Sequence, residues 1–355
     1  MDLELLGWDG ALADLFAPWA AGGHRPGRVI AAHRGGDLVA TAQGELLAQA
    51  TGRLRHLAGP AVAGLPAVGD WVAVRHGRVH AVLPRRTAVT RRTPGSNAGE
   101  QVLAANVDLV VVVVAPGRDA NPRRVERLLA LAWESAAQPV VVLGRADLCP
   151  DLGTDVASEL AGLAAVAPGV RVLALSCYTG EGVDEVAATL TPGRTAVLLG
   201  SSGVGKSTLV NRLAGRDLLA TGEVRNDGKG RHTTTTRQLV VLAGGGLVID
   251  TPGLRELGLW TGGAGAAAAF DDVEVLATGC RFNDCRHRTE PGCAVLEALE
   301  DGRLPADRLA AWEKLQRELA WAERRADPLA AAEGRRHVRA LSRSMRASNL
   351  HRDHG

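Results

Sequence analysis

Lysine is nearly missing from this 355-residue chain, which carries three, Lys206, Lys229 and Lys314, against 38 arginines (41 − 3). A chain so biased toward arginine keeps lysine where a planar guanidinium does not fit. Aromatic residues amount to 3% of the sequence. Between Gly27 and Arg92 the only aromatic is Trp71, which excludes a broad base-stacking platform in that stretch. Long apolar runs are absent too: the longest, Leu109 to Ala115, follows Asp108 and falls far short of the roughly 20 residues that span a bilayer. No membrane segment is expected. The N-terminus MDLELLGWDG has acids where a secretory leader has basic residues, so a cytoplasmic protein is expected. Net charge is only +2, and any nucleic-acid footprint must therefore be local. What is present, 46% hydrophobic and 23% charged residues, excludes global disorder. The length suggests two or three domains, no fixed-period repeat is visible, and a monomer is expected.

From about Gly27 to Arg92 short alternating runs are broken by Gly and Pro. They are Arg28-Val-Ile-Ala, Asp37-Leu-Val-Ala-Thr, Asp70-Trp-Val-Ala-Val-Arg and Arg78-Val-His-Ala-Val-Leu. This pattern predicts a small all-β, OB-like barrel. Its arginines, Arg53, Arg55, Arg75, Arg78, Arg85, Arg86, Arg91 and Arg92, either line a phosphate backbone or form a solvated charged face. From about Asn106 the period changes. Strands over Leu109–Ala115, Pro139–Leu143 and Thr195–Leu199 alternate with helices over Pro122–Ala136 and Thr154–Leu163, and Val170–Leu175 and Val183–Leu190 continue the alternation. Continuous β-branched runs imply a doubly wound parallel sheet covered on both faces. Leu239–Leu242 and Leu247–Ile249 flank a Gly-rich turn and predict a hairpin on that sheet.

Gly200-Ser201-Ser202-Gly203-Val204-Gly205-Lys206-Ser207 matches G-x-x-x-x-G-K-[ST], directly after an apolar strand and opening a helix, with Thr208 next. Backbone N–H groups of such a loop converge on phosphates, Lys206 bridges the β- and γ-phosphates, and Ser207 holds Mg²⁺. Asp250-Thr-Pro-Gly253 closes a strand as D-x-x-G, with Asp250 reaching Mg²⁺ and the Gly253 N–H reaching the γ-phosphate. Between them Gly228 to Thr236 reads as a switch whose threonine, Thr234 or Thr235, joins Mg²⁺. A plain surface loop is the alternative there. Leu143-Gly144-Arg145-Ala146-Asp147 resembles the guanine-reading N-K-x-D loop, with Asp147 accepting from the base and Gly144 standing where Asn is usual. Ser176-Cys177-Tyr178-Thr179-Gly180-Glu181-Gly182 resembles the S-A-x-T-G-E-G loop that follows it. Guanine loops first and phosphate loop after is a circularly permuted order.

Of five cysteines, three lie in Cys280-x₄-Cys285-x-His287-x₅-Cys293, a full tetrahedral set for one structural zinc. Metal-free thiols are the alternative. A segment from Pro305 to about Ala326 has helical apolar spacing, and a basic tail from Arg335 to Arg352 either contacts phosphates or is merely solvated.

Taken together these motifs closely resemble the ribosome small subunit-dependent GTPase A family (RsgA/YjeQ) over about residues 25 to 325. The likeness is carried by Val68-Gly-Asp70, Asn106-Val-Asp108, the phosphate loop, Gly230-Arg-His-Thr-Thr-Thr, Asp250-Thr-Pro-Gly and the Cys280 to Cys293 set. It implies an OB-fold over 27–95 behind an N-terminal segment 1–26, a permuted P-loop GTPase domain over 96–258, and a small zinc-binding and helical domain over 259–355. It also implies GTP and GDP as ligands, the small (30S) ribosomal subunit and its 16S rRNA as partners, GTP hydrolysis during late maturation, and His232 as a catalytic residue. A non-hydrolysing, GTP-gated RNA-binding module is the competing expectation, favoured by Leu254 where many GTPases keep a glutamine. An ATPase with a degenerate base loop is the third, and Asp147 speaks against it.

Overall fold

The computed structural model describes residues 1–33, 35–58, 64–92, 100–201, 203–219, 237–250, 269–282 and 285–326. The chain divides into two compact units, Met1–Ala269 and Phe270–Gly355. In the first, strands β1 (Arg25–His33), β2 (Gly36–Thr41), β3 (Gly44–Ala50), β4 (Trp71–Arg75) and β5 (Arg78–Val82) close on themselves in the order β1-β2-β3-β5-β4-β1. This is the expected OB-like barrel. Its interior holds Val29, Val39, Ala48, Val72, Val74 and Val79, all nearly inaccessible. Trp71 is buried on the opposite face of β4, edge-on to Trp8 at 4.9 Å. Helix α1 (Gly10–Ala20) is capped by Asp9, which accepts from Leu12 N at 3.0 Å, and lays Leu12 and Phe16 on the same core. Helix α2 (Gly52–Ala58) connects β3 to the β4–β5 hairpin.

A two-stranded antiparallel ribbon, β6 (Ala88–Arg92) with β7 (Glu100–Ala105), leads to the second sheet. There β8 (Leu109–Val114), β9 (Gln138–Leu143), β10 (Arg171–Ala174), β11 (Thr195–Leu199), β12 (Gln238–Val241) and β13 (Leu247–Asp250) lie in the order β10-β9-β8-β11-β13-β12. All neighbours are parallel except β12, which pairs antiparallel with β13. The side-chain period of two sorts β8 between two cores. Leu109, Val111 and Val113 pack with α5 (Val183–Thr189) and α6 (Lys206–Ala214), while Val110, Val112 and Val114 pack with α3 (Pro122–Glu134) and α4 (Val156–Val166). The second of these cores is continuous with the barrel interior, and Ala31 of β1 pairs with Gln238 of β12.

Arg28 joins the parts. It is 1% exposed and donates to Gly69 O (3.2 Å), Asn106 O (3.3 Å) and Thr195 Oγ1 (2.8 Å), and also to Leu6 O. Burial lowers its pKa to about 10 against the opposing pull of Asp108 and Asp70, so it stays charged at neutral pH. The V-G-D and N-V-D motifs meet at this joint. Gly69 has φ +94°, and a Cβ there would lie 2.1 Å from Ala105 O. Asn106 Nδ2 donates to Gly69 O (3.1 Å), and the Asp108 carboxylate accepts from Thr195 N (2.7 Å). Asp70 is fully buried, accepts from Ala67 N (2.8 Å) and receives Arg85 through two bonds of 2.8 and 2.7 Å. Two of the arginines read either as lining a phosphate backbone or as a solvated face are thus held in ion pairs, Arg85 with Asp70 and Arg86 with Asp9.

In the second unit, helices α7 (Asp271–Ala277), α8 (Ala294–Glu300) and α9 (Ala306–Ala326) surround the cysteine loop. Arg308 is 6% exposed, donates twice to Asp272 and lies 4.3 Å over the Phe270 ring. Leu309 and Leu315 are buried, in keeping with a packing role for the apolar stripe. No helix among the described residues is long and apolar enough to cross a membrane.

Candidate functional site

Parallel register brings the loops after β8, β9, β10 and β11 and the end of β13 to one edge of the sheet, because Leu199 pairs with Val112, Val114 and Ala174 both pair with Leu143, and Val197 pairs with Ile249. The chain runs outward from β8 through β9 to β10 and then returns to the other side of β8 as β11. Such a reversal opens a crevice at the carboxyl ends of the two central strands, the usual ligand position in an open α/β sheet.

The phosphate loop leaves β11 at this crevice. Gly200 has φ +145°, and a Cβ there would sit 2.2 Å from Val113 O, so no other residue lets the loop pass β8. Gly205 precedes α6, whose first residue is Lys206, so the helix N-terminus faces the loop. Lys206 Nζ donates to Gly200 O (2.8 Å) and Ser201 O (2.6 Å), which holds the ammonium over the loop. Ser207 is partly exposed one residue further on. Asp250 ends β13 level with Leu198, two residues before the phosphate loop. Asn211 of α6 fastens the segment that follows, accepting from Leu218 N (3.0 Å) and Leu219 N (2.8 Å) and donating to Leu219 O.

The guanine-type loop lies beside it. Gly144 N donates to Val114 O at 2.7 Å. Arg145 takes a left-handed backbone, φ +54°, and its Nε lies 3.9 Å from where a Cβ on Gly205 would stand. Among the described residues none donates to the half-buried Asp147 carboxylate. Ala146 N donates to Leu175 O (3.0 Å), tying this loop to the next one. There Ser176, 1% exposed, accepts from Tyr178 N and Thr179 N (3.1 Å each) and so folds the Ser176–Gly182 turn. Burial pushes the Cys177 thiol up, against the pull of Arg212. Gly144, Arg145, Ala146, Asp147, Ser176, Cys177, Gly200, Ser201, Gly203, Val204, Gly205, Lys206, Ser207, Thr208 and Asp250 all fall on this edge or its loops. Ser202, His232, Thr234, Thr235 and Gly253 lie outside the described residues.

The second unit holds the sulfur site. Cys280 Sγ lies 3.8 Å from Cys293 Sγ and 3.6 Å from His287 Nδ1, His287 Nδ1 lies 3.3 Å from Cys293 Sγ, and the four ligand atoms including Cys285 all lie within 4.8 Å. A tetrahedron with metal–sulfur bonds of about 2.3 Å and metal–nitrogen bonds of about 2.0 Å has edges of about 3.8 and 3.5 Å, so the donor set fits one ion of that kind. His287 reaches it from a left-handed backbone, φ +56°, with its ring 5.4 Å from Trp312. Glu290 accepts from Arg286 N, Arg288 N and Thr289 N, which rounds off the loop and holds its carboxyl down at about 2. Burial opposes the Cys280 thiolate, but backbone N–H groups of Val295 and Ala294, together with hydrogen bonds from Cys293 and Cys285, outweigh it and lower the pKa.

Sequence motifs had not marked Asp119. It accepts from Ala115 N and from Ser201 Oγ (3.0 and 2.5 Å), within a 3-10 turn between β8 and α3 that no motif covers. Arg28 was equally unmarked, one arginine among 38 (41 − 3).

A model of the RsgA GTPase family matches residues 82–260. A small ribosomal subunit biogenesis GTPase RsgA of Opitutus terrae is 49% identical over 98% of this chain and 98% of its own. The protein of the same name from Streptomyces coelicolor is 50% identical over 89% of this chain and 86% of its own. Among solved structures, YjeQ from Thermotoga maritima is 28% identical with a TM-score of 0.62, covering 84% of this chain and 99% of the other. YloQ, a circularly permuted GTPase, shares the fold at 23% identity with a TM-score of 0.58, covering 84% and 95%. With its permuted loops converging on one sheet edge and these likenesses along nearly its whole length, the chain belongs to the RsgA GTPase family.

Proposed function

We propose that this chain is a Mg²⁺-dependent GTPase that binds the small ribosomal subunit and hydrolyses GTP late in the subunit's maturation. One observation carries the reading: a phosphate loop and an acceptor-bearing guanine loop flank the same crevice, with Val204 O 3.7 Å from where a Cβ on Gly144 would stand. The relatives' names supply the partner. In this reading the units of action are the barrel, 27–95, the permuted GTPase domain, 96–258, and the zinc domain, 259–355, with the β6–β7 ribbon bridging the first two.

The loop's N–H groups and Lys206 hold the β- and γ-phosphates, and Asp147 accepts from the guanine edge. Ser207, Asp250 and Thr234 or Thr235 would hold Mg²⁺, which neutralises charge between the phosphates when bound. Leu254 cannot orient a water, so the attacking water is positioned from the switch, by His232. Cys280, Cys285, His287 and Cys293 would hold one structural Zn²⁺. Exposed Arg53, Arg55 and Arg78 on the barrel are left for the phosphates of 16S rRNA.

Basal turnover is expected to be slow, because the subunit completes the arrangement that hydrolyses GTP. If the subunit favours that hydrolysing arrangement by about 3–4 kcal/mol, turnover rises by about two to three powers of ten. The experiment is GTP turnover with and without purified small subunits. His232→Ala should bind GTP and lose the stimulated rate, whereas Lys206→Ala should lose binding and turnover together. Absence of any acceleration by subunits would favour the GTP-gated binding module that Leu254 suggests. Competition by ATP as effective as by GTP would overturn the guanine reading.

A further inference from the structure

We propose that Asp119 is a positioning residue of the phosphate loop, clamping its first turn across the crevice by accepting the Ser201 hydroxyl proton. The proposal deepens the nucleotide-site reading and rests on it. Asp119 stands in the turn after β8 and Ser201 in the turn after β11, the two parallel neighbours at which the order of strand addition reverses. One carboxylate oxygen, Oδ2, accepts from Ala115 N at 3.0 Å and fixes the carboxylate to the end of β8. The other, Oδ1, accepts from Ser201 Oγ at 2.5 Å, a short bond of the charge-assisted kind. The carbonyl of the same Ser201 accepts from Lys206 Nζ at 2.6 Å. A continuous chain of bonds thus runs from the β8 strand end through Asp119 and Ser201 to the lysine that meets the phosphates.

The electrostatics explain why a carboxylate is tolerated so near an anion site. Arg124 Nη1, on the first turn of α3, lies 3.3 Å from Asp119 Oδ1 and offsets its charge, and Asp119 keeps only 19% of its side chain exposed. Fixing the first residues of a glycine-rich loop before the ligand arrives removes ordering entropy that binding would otherwise have to overcome. Release of nucleotide then requires no rupture at Asp119, so the clamp slows departure by keeping the donors aimed at the phosphates.

The test uses the full chain and a fluorescent GDP analogue, with release followed by stopped flow. Asp119→Ala and Ser201→Ala should each speed release by about tenfold, the worth of one hydrogen bond to a charged group, and the double variant should match either single one. Ser201→Ala leaves the Ala115 contact intact and so separates clamping of the loop from capping of β8. Asp119→Asn, which keeps one acceptor oxygen, should fall between. Wild-type release rates in both single variants would overturn the proposal, and so would effects that multiply in the double variant. If the wild type binds no guanine nucleotide, the nucleotide-site reading fails and takes the clamp with it. A wild type that binds, beside variants that release at its rate, sinks the clamp alone.

Discussion

Gly144 is the one residue of the guanine loop whose side chain is missing, and the space for that side chain is there. A Cβ would meet nothing closer than Val113 Cγ1 at 3.4 Å, with Val204 O of the phosphate loop at 3.7 Å. An amide on that Cβ has an acceptor within reach, so Gly144→Asn should tighten GDP binding by several-fold to about tenfold while keeping guanine selectivity. Equilibrium titration of both proteins checks it; an unchanged or weaker affinity means that the loop gains nothing from the amide. Asp9 supports a second residue-scale expectation. Hydrogen bonds from Arg86 hold its carboxyl down at about 2, and it also caps α1 through Leu12 N. A depressed carboxylate adds stability above its unfolded pKa, near 4, and loses it as pH falls toward 2. Since the Arg86 pair is half-exposed, the cap supplies most of the effect: Asp9→Ala should cost about 1 kcal/mol at pH 7, and the gap to wild type should close between about pH 4 and 2 in thermal melts. The places of Lys206 and Asp250, at the start of α6 and the end of β13, were legible in the sequence because each motif follows an apolar strand at fixed spacing. Arg28 and Asp119 were not, because a buried arginine and a turn aspartate look in sequence like any solvated charge.

Elements were legible where side-chain period spoke clearly. Thr195–Leu199 is apolar, β-branched at two positions and bounded by Gly200, and it is a strand over just those residues. β3 escaped because Gly-Glu-Leu-Leu-Ala-Gln-Ala has no β-branched residue and reads equally well as helix; pairing with β2 and β5 decides it. Helix α1 carries Pro18 and an exposed Leu15, which blur its apolar face, although Asp9 marks its start. The cysteine loop was legible as a donor set, while its geometry depends on His287 adopting a left-handed backbone that sequence does not announce. Helices α7 and α8 are seven residues each, too short to persist alone, so their order depends on packing with α9 and on the loop between them. One Zn²⁺ per chain is expected from metal analysis, and Cys285→Ala or a strong chelator should remove it together with helical signal and protease resistance in residues 270–326. Full helical content in a metal-free sample would rule out a structural ion.

At the scale of the whole first unit, barrel and parallel sheet are one folded body. Their interiors are continuous on the α3–α4 side, and a single buried guanidinium pins Leu6, Gly69, Asn106 and Thr195, four segments far apart in the chain. Such wiring places the start of the strand that feeds the phosphate loop, Thr195, in direct contact with the barrel's first strand. The two parts should therefore unfold together, in one cooperative transition, even though each has the size of an independent domain. Arg28→Met tests this, since methionine keeps the length and much of the packing beside Trp71, 5.4 Å away, but donates to none of the four acceptors. Gly69 O keeps the Asn106 Nδ2 donor, but Leu6 O, Asn106 O and Thr195 Oγ1 lose the arginine, and at about 1–3 kcal/mol for each buried acceptor a loss of at least about 3 kcal/mol is expected. Calorimetry should show the single transition of the wild type moving down in temperature and dividing, with the barrel melting first and GDP shifting only the second step. A variant that melts in one transition at the wild-type temperature would mean that the shared apolar core, and not the Arg28 joint, holds barrel and GTPase sheet together.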